Sequence, residues 1–239
     1  MSSWRPDPAP SAPGPSLAEI LGGRGGALDA SAAPVAFVAG FGVADAAGSP
    51  SALLWGGGSA LGAGLVVGAV RLARGKRPAA VLAGMFGVAV AVLVALYTGR
   101  AVDFFLLQIV SNAVSALAWA VSIIVRWPLL GLVVGTALGQ RTRWRRDPDL
   151  LRGYGRASWV WVGQYVLRLA VFIPLYLAGA IYALGVARVA LTWPLVVACI
   201  ALSWPVLRRA LPAGHPGLRQ PRVPNRGEGP PYSGPRHQA

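Results

Sequence analysis

Residues 104–125 contain no charged side chain, and an uncharged run of 22 positions constrains this chain's fold more than anything else in it. A helix needs ~20 apolar residues to cross a bilayer, and this run is that long. Asp103 precedes it, Arg126-Trp127-Pro128 ends it, and Arg141, Arg143, Arg145 and Arg146 follow a little later. The run is not uniformly apolar. Gln108, Ser111, Asn112, Ser115, Trp119, Ser122 and Arg126 fall within an arc of roughly 100° when plotted at about 100° per residue. Lipid offers such a stripe nothing, so it is expected to face protein or water inside a bundle.

Further apolar runs lie on both sides. With 55% hydrophobic and 13% charged residues, against ~25% charged in a soluble domain, the chain reads as an all-α integral membrane protein. About six transmembrane helices are expected, at residues 27–47, 51–70, 79–98, 104–125, 158–184 and 189–207. In the first, Asp29 or Ser31 would cap and Pro34 would sit in the opening turn. A five-span alternative has this first run only dipping into the membrane. In the second, Gly58, Gly62, Gly64 and Gly68 would allow close helix approach. Residues 129–140 form a 12-residue apolar segment, ~18 Å as a helix, too short to cross. It reads as a re-entrant or interfacial helix docked through Gly131, Gly135 and Gly139. Residues 1–16 are expected to be a disordered tail, 17–211 the helical transmembrane domain with a short amphipathic turn at 17–21, and 212–239 a disordered basic tail. Residues 22–26 read as a flexible lead-in, since no Lys-Ser/Thr follows to make a phosphate cradle. No basic stretch leads into an apolar core at the N-terminus, so no cleavable signal peptide is expected.

The net charge of +14 is distributed in a way that excludes nucleic acid as the expected partner. Four basic residues lie within 71–77 and seven within 126–156, whereas Arg100 and Arg188 alone are assigned to the opposite side. The positive-inside rule then places both termini in the cytoplasm of a multi-pass cell-membrane protein. The expected partners are anionic lipid headgroups at the basic loops, together with a membrane-protein partner or a second copy of the chain.

Catalysis inside a membrane needs a nucleophile with a base, paired carboxylates or a metal set. The spans hold no histidine, only Cys199, and no close acidic pair, so no enzyme activity, cofactor or metal is expected. The residues singled out are ionic and polar. Arg168, well inside a span, is expected to pair with Asp29 while Trp119 stacks on its guanidinium. Asp103 and Asp45 are expected to pair with Arg100 and Arg188 at the outer face. Gln108 and Asn112 belong to the stripe, and Arg126 marks the break after it. The favoured reading is a structural or interaction component of a membrane assembly, related to the envelope or to division. The alternative is a small transporter or channel subunit for an ion or small solute.

Gly22-Gly23-Arg24 with Asp29, Thr98-Gly99-Arg100 before Asp103-Phe104-Phe105-Leu106, Asn112, Arg126-Trp127-Pro128-Leu129, Gly139-Gln140 and Trp144-Arg145-Arg146-Asp147-Pro148 together resemble an actinobacterial family of multi-pass membrane proteins. That family is catalogued as a domain of unknown function, and the likeness covers about residues 17–211. It implies a plasma-membrane location and no particular activity. A fainter likeness, to bacterial intracellular septation membrane proteins, rests on the Arg-x-Pro-Leu break and a downstream Trp-rich helix.

Overall fold

The computed structural model describes residues 23–140, 142–212, 215–218 and 221, with side chains placed from residue 29 onward. Among these residues the regular elements are all helical: α1 (Gly23–Ala46), α2 (Ala52–Ala73), α3 (Pro78–Thr98), α4 (Leu106–Ile124), α5 (Leu129–Ala137), α6 (Pro148–Leu177) and α7 (Ile181–Ala210). Short 3-10 turns at Ala101–Phe105 and Arg143–Arg146 precede α4 and α6. Five helices, namely α2, α3, α4 with its leading turn, α6 and α7, are long and apolar enough to cross a membrane. Leu54, Phe86, Ile124 and Leu177 are exposed, as suits side chains that face lipid rather than water.

The helices pack in an arc. α3 lies on α2, α2 on α1, α1 on α7, α7 on α6, and α6 on α4 with α5 beside it. Although consecutive in the chain, α3 and α4 share few contacts. α1 and α2 form the tightest hairpin because glycines remove the side chains between them. A Cβ on Gly40 would stand 2.9 Å from the Trp55 carbonyl oxygen, and one on Gly56 would stand 3.1 Å from that of Phe37. In a bilayer, where no hydrophobic force drives helices together, such backbone approach supplies much of the association. Of the α2 glycines expected to do this, Gly68 is packed against Met85 of α3, while Gly58 and Gly62 face open space.

Two cores result. Phe37, Phe104, Phe105, Phe172 and Leu184 fill one, with Phe37 and Phe104 stacked at 4.0 Å. Trp144, Tyr154, Leu150, Leu130 and Leu207 form the other, under α5, with Trp144 and Tyr154 edge to face at 5.4 Å. The N-terminus of α6 is fixed there. The Asp147 carboxylate accepts hydrogen bonds from the Asp149 and Leu150 amides, with Pro148 in the first turn, so orphan donors at the helix start are satisfied.

Several boundaries differ from the sequence reading. α1 is already helical at Gly23, so Asp29 and Ser31 lie inside it rather than capping it, and Pro34 is in its interior. Residues 23–26, expected as a flexible lead-in, are the first turn of that helix; the expectations for residues 1–21 lie outside the described residues. α6 begins at Pro148 rather than at residue 158. The turn before α7 is at residues 178–180, where Gly179 takes φ 68°, and not at 185–188. Arg188 had been placed between two spans, on the outer side. Gly185 is a packing glycine, where a Cβ would stand 2.9 Å from Val38 of α1. Gly131 and Gly135 are buried in the docked face of α5, but Gly139 serves the turn after it, at φ 67°. Part of the segment after residue 212 is placed as well: His215 Nε2 lies 2.9 Å from Asp147 Oδ2 and the Leu218 carbonyl accepts from Gln140.

Candidate functional site: a charged cavity inside the bundle

Moving Arg188 from a loop into α7 changes what it can do. It stands seven residues into the helix, ~10 Å below its start at ~1.5 Å per residue. There it lines a half-open cavity of about 380 Å³ bordered by α1, α2, α3, the Ala101–Phe105 turn, α4 and α7. Asp29, Arg71, Gln108 and Ser111 contribute the cavity's other polar side chains. Phe104 and Phe105 close one side of it, and glycines of α2 and α3, such as Gly64 and Gly87, leave the room.

Asp29 meets Arg71, whose Nε donates to Oδ2 at 3.0 Å. Arg188 is different. Its guanidinium has no hydrogen bond or ion pair with any described residue. Only its carbonyl is engaged, accepting from the Thr192 hydroxyl. The cavity therefore holds two cations against one carboxylate.

Arg168 lies one layer away, on α6, and is buried. Its Nε donates to the Leu191 carbonyl at 3.2 Å and its Nη2 to the Thr192 carbonyl at 2.9 Å, while the Tyr165 ring lies 5.6 Å from its Cζ. Pro194 lacks an amide hydrogen and loosens this stretch of α7, which leaves carbonyls able to accept a second donor. The expected Arg168–Asp29 pair is thus corrected: the two are not together. Axial depth placed them at one level, but α1 lies against α2 and α7 rather than α6. Trp119 does not stack on Arg168 either; it stacks on Trp161 at 5.2 Å and 9°.

The outer cluster is also rearranged. The Asp103 carboxylate accepts from the Tyr176 hydroxyl at 2.5 Å, and Arg100 lies over the Tyr176 ring at 5.6 Å. The tyrosine comes between acid and base, and among the described residues Asp103 makes no ion pair with Arg100 or Arg188, nor does Asp45.

The α4 stripe divides between two tasks. Gln108 and Ser111 line the cavity. Asn112 accepts from Gln108 Nε2 at 3.1 Å, Ser122 donates to the Trp119 carbonyl and accepts from the Leu129 amide, and both are buried. Buried Asn112 Nδ2 and Gln164 Oε1, on the packed pair α4 and α6, have no partner among the described residues; sites of this kind hold ordered water. Arg126 is exposed at the end of α4, and Arg145 of the basic segment lies 3.8 Å over the neighbouring Trp127 ring.

The sequence reading placed Arg71 in the basic loop and not in a site, and it misplaced Arg188. A charged residue inside an otherwise helical apolar run was the available signal for Arg188, and the same signal had already been used for Arg168.

The described residues form a bundle of helices, five of them long and apolar enough to cross a membrane, in which the Arg188 guanidinium has no partner among those residues. The chain belongs to the family described as protein of unknown function DUF3159, which it matches over residues 21–214. No curated protein and no solved structure matches it.

Proposed function

We propose that the protein is a cell-membrane transporter or channel subunit for a small solute or ion, with the cavity as its binding chamber. One observation carries this reading: Asp29, Arg71, Gln108, Ser111 and Arg188 surround a single space of about 380 Å³ among helices able to cross the bilayer. Charge within a span is costly and is characteristic of substrate and ion pathways. The volume falls in the ~300–1,000 Å³ range of small-molecule sites. α3 and α4 share few contacts directly; α3 is held instead on the Ala101–Phe105 turn, where Ala91, Val92 and Ala95 share a core with Phe104 and Phe105.

The topology that goes with it has six crossings. The Asp29–Arg71 pair joins the start of α1 to the end of α2, and the Gly40–Ser59 approach joins their middles. α1 therefore runs beside α2 for its whole length and crosses wherever α2 crosses. The basic stretches at 71–77 and 126–156 then face the cytoplasm, where anionic headgroups and protein partners are available to them.

Thiol accessibility tests the chamber. Cys199 is the sole cysteine and is buried, so a Cys199→Ala background is silent. In sealed vesicles, Ser111→Cys and Gly84→Cys are expected to react with a membrane-impermeant thiosulfonate, and Asn112→Cys to resist it. If Ser111→Cys is as inert as Asn112→Cys, the chamber is dry and the reading fails. The second reading, a structural or interaction component of the envelope, is favoured by Asn112, Trp119 and Ser122, whose polar or aromatic groups are engaged within the bundle. An inert Ser111→Cys would leave that reading standing.

A further inference from the structure

We infer that the chamber is an oxyanion site centred on Arg188, taking a phosphate-type group from a soluble solute or a lipid headgroup. This rests on the proposed transport reading and names the ligand class it needs.

The argument begins with charge. Asp29 and Arg71 neutralise one another at 3.0 Å, so Arg188 leaves the cavity with one net positive charge. Arg168 adds a second cation close by, because its guanidinium is bonded to the Thr192 carbonyl and the Thr192 hydroxyl to the Arg188 carbonyl. Neither arginine has a carboxylate partner among the described residues. They differ in what replaces one. Arg168 is held by two backbone carbonyls, which explains it as a fixed part of the α6–α7 contact. Among the described residues nothing holds the Arg188 guanidinium, and it stands at the wall of a half-open cavity. A guanidinium without an acceptor in a membrane interior loses its hydration with nothing in return; an anion in the cavity would remove that cost.

The remaining chemistry fits the same class. Guanidinium presents a planar fork of donors that matches phosphate and carboxylate oxygens. Gln108 and Ser111 add an amide and a hydroxyl on the cavity wall, and Asp29 is withheld from repelling an anion by its bond to Arg71. A cation would meet the opposite arrangement, since the one carboxylate is occupied by Arg71 and Arg188 stands unpaired among the described residues on the wall. The cavity has room for a compact oxyanion with several waters, each of which takes ~30 Å³ in the liquid.

The test uses the full chain in phospholipid vesicles, with Ser111→Cys in the Cys199→Ala background and its labelling rate as readout. In vesicles of phosphatidylcholine alone, inorganic phosphate is expected to slow labelling in a saturable way if the site takes a soluble oxyanion. In vesicles of equal parts phosphatidylcholine and phosphatidylglycerol, labelling is expected to be slow without added phosphate if the site takes a lipid headgroup. Either result supports the inference, provided Arg188→Gln weakens the protection about tenfold or more and Arg188→Lys restores part of it. Gln108→Glu, which puts a carboxylate of the protein's own on the wall of the cavity that Arg188 lines, is expected to abolish protection. It also covers the case in which Arg188→Gln fails to fold. Brisk labelling that neither phosphate nor phosphatidylglycerol slows, or protection indifferent to Arg188→Gln and Gln108→Glu, overturns the oxyanion site while leaving a wet chamber. An absence of labelling overturns the chamber itself.

Discussion

Arg126 sits at φ 56°, the one non-glycine residue with positive φ among the described residues. It closes α4 by the pattern in which the Trp127 amide reaches back to the Ser122 carbonyl at 2.8 Å and the Arg126 amide to the Ile123 carbonyl at 3.0 Å. The same pattern closes α1, α2, α5 and α6, and there the left-handed residue is Gly48, Gly75, Gly139 or Gly179. A side chain in that conformation costs about 1–2 kcal/mol, and strain kept where glycine is the usual solution is a mark of functional selection. Arg126→Gly is therefore expected to stabilise the purified protein by about 1 kcal/mol, whereas Arg126→Ala, which keeps the Cβ, is expected to leave stability nearly unchanged. Thermal unfolding in detergent measures both. A fall in melting temperature for Arg126→Gly would show that the guanidinium makes a stabilising contact that outweighs the strain.

At the scale of elements, α5 depends on a glycine for a steric reason. A Cβ on Gly131 would stand 2.7 Å from two ring carbons of Trp144, and that indole is fully buried and cannot swing away. Gly131→Ala is expected to destabilise the protein by about 1–3 kcal/mol. Gly163→Ala, on the open face of α6 with nothing nearby, is expected to be neutral or mildly stabilising. Equal melting points for the two variants would mean that α5 can shift off its seat at no cost. Gly131 and Gly135 made α5 legible as a docked helix, but small-residue spacing alone is no guide: Gly58 and Gly62 of α2 face open space, and Gly139 serves a turn. The apolar runs made the other spans legible, since length and hydropathy are properties of the run alone. The polar stripe of α4 was legible as a face, but not in its partners, since periodicity fixes direction around one helix and says nothing about which helix lies there. That is why Trp119 was assigned to Arg168 when Trp161 takes it. The α6–α7 boundary was missed because Arg188 was set between the spans and the apolar run before it was read as continuous through Gly179, and with the boundary went the most informative residue of the site.

For the whole molecule, the orientation in the membrane decides which compartment the chamber serves, and the ion pair between α1 and α2 makes that question sharp. Asp29 lies in the first turns of α1 and Arg71 in the last turn of α2, and they meet at 3.0 Å. Whatever side the basic stretch at 71–77 occupies, the start of α1 shares it. Under the proposed orientation, with that stretch and 126–156 and their eleven basic residues in the cytoplasm, the turns at 99–101 and 178–180 face outward. A phosphatase fused at either turn is expected to be active, because it folds only after export. The same enzyme fused ahead of residue 23 or after residue 210 is expected to be inactive, and a fluorescent protein at those two positions to be bright. An active phosphatase ahead of residue 23 would put the start of α1 opposite Arg71. The hairpin could not then hold its ion pair, α1 could not line the chamber with α2, and both the six-span layout and the site built on it would have to be abandoned.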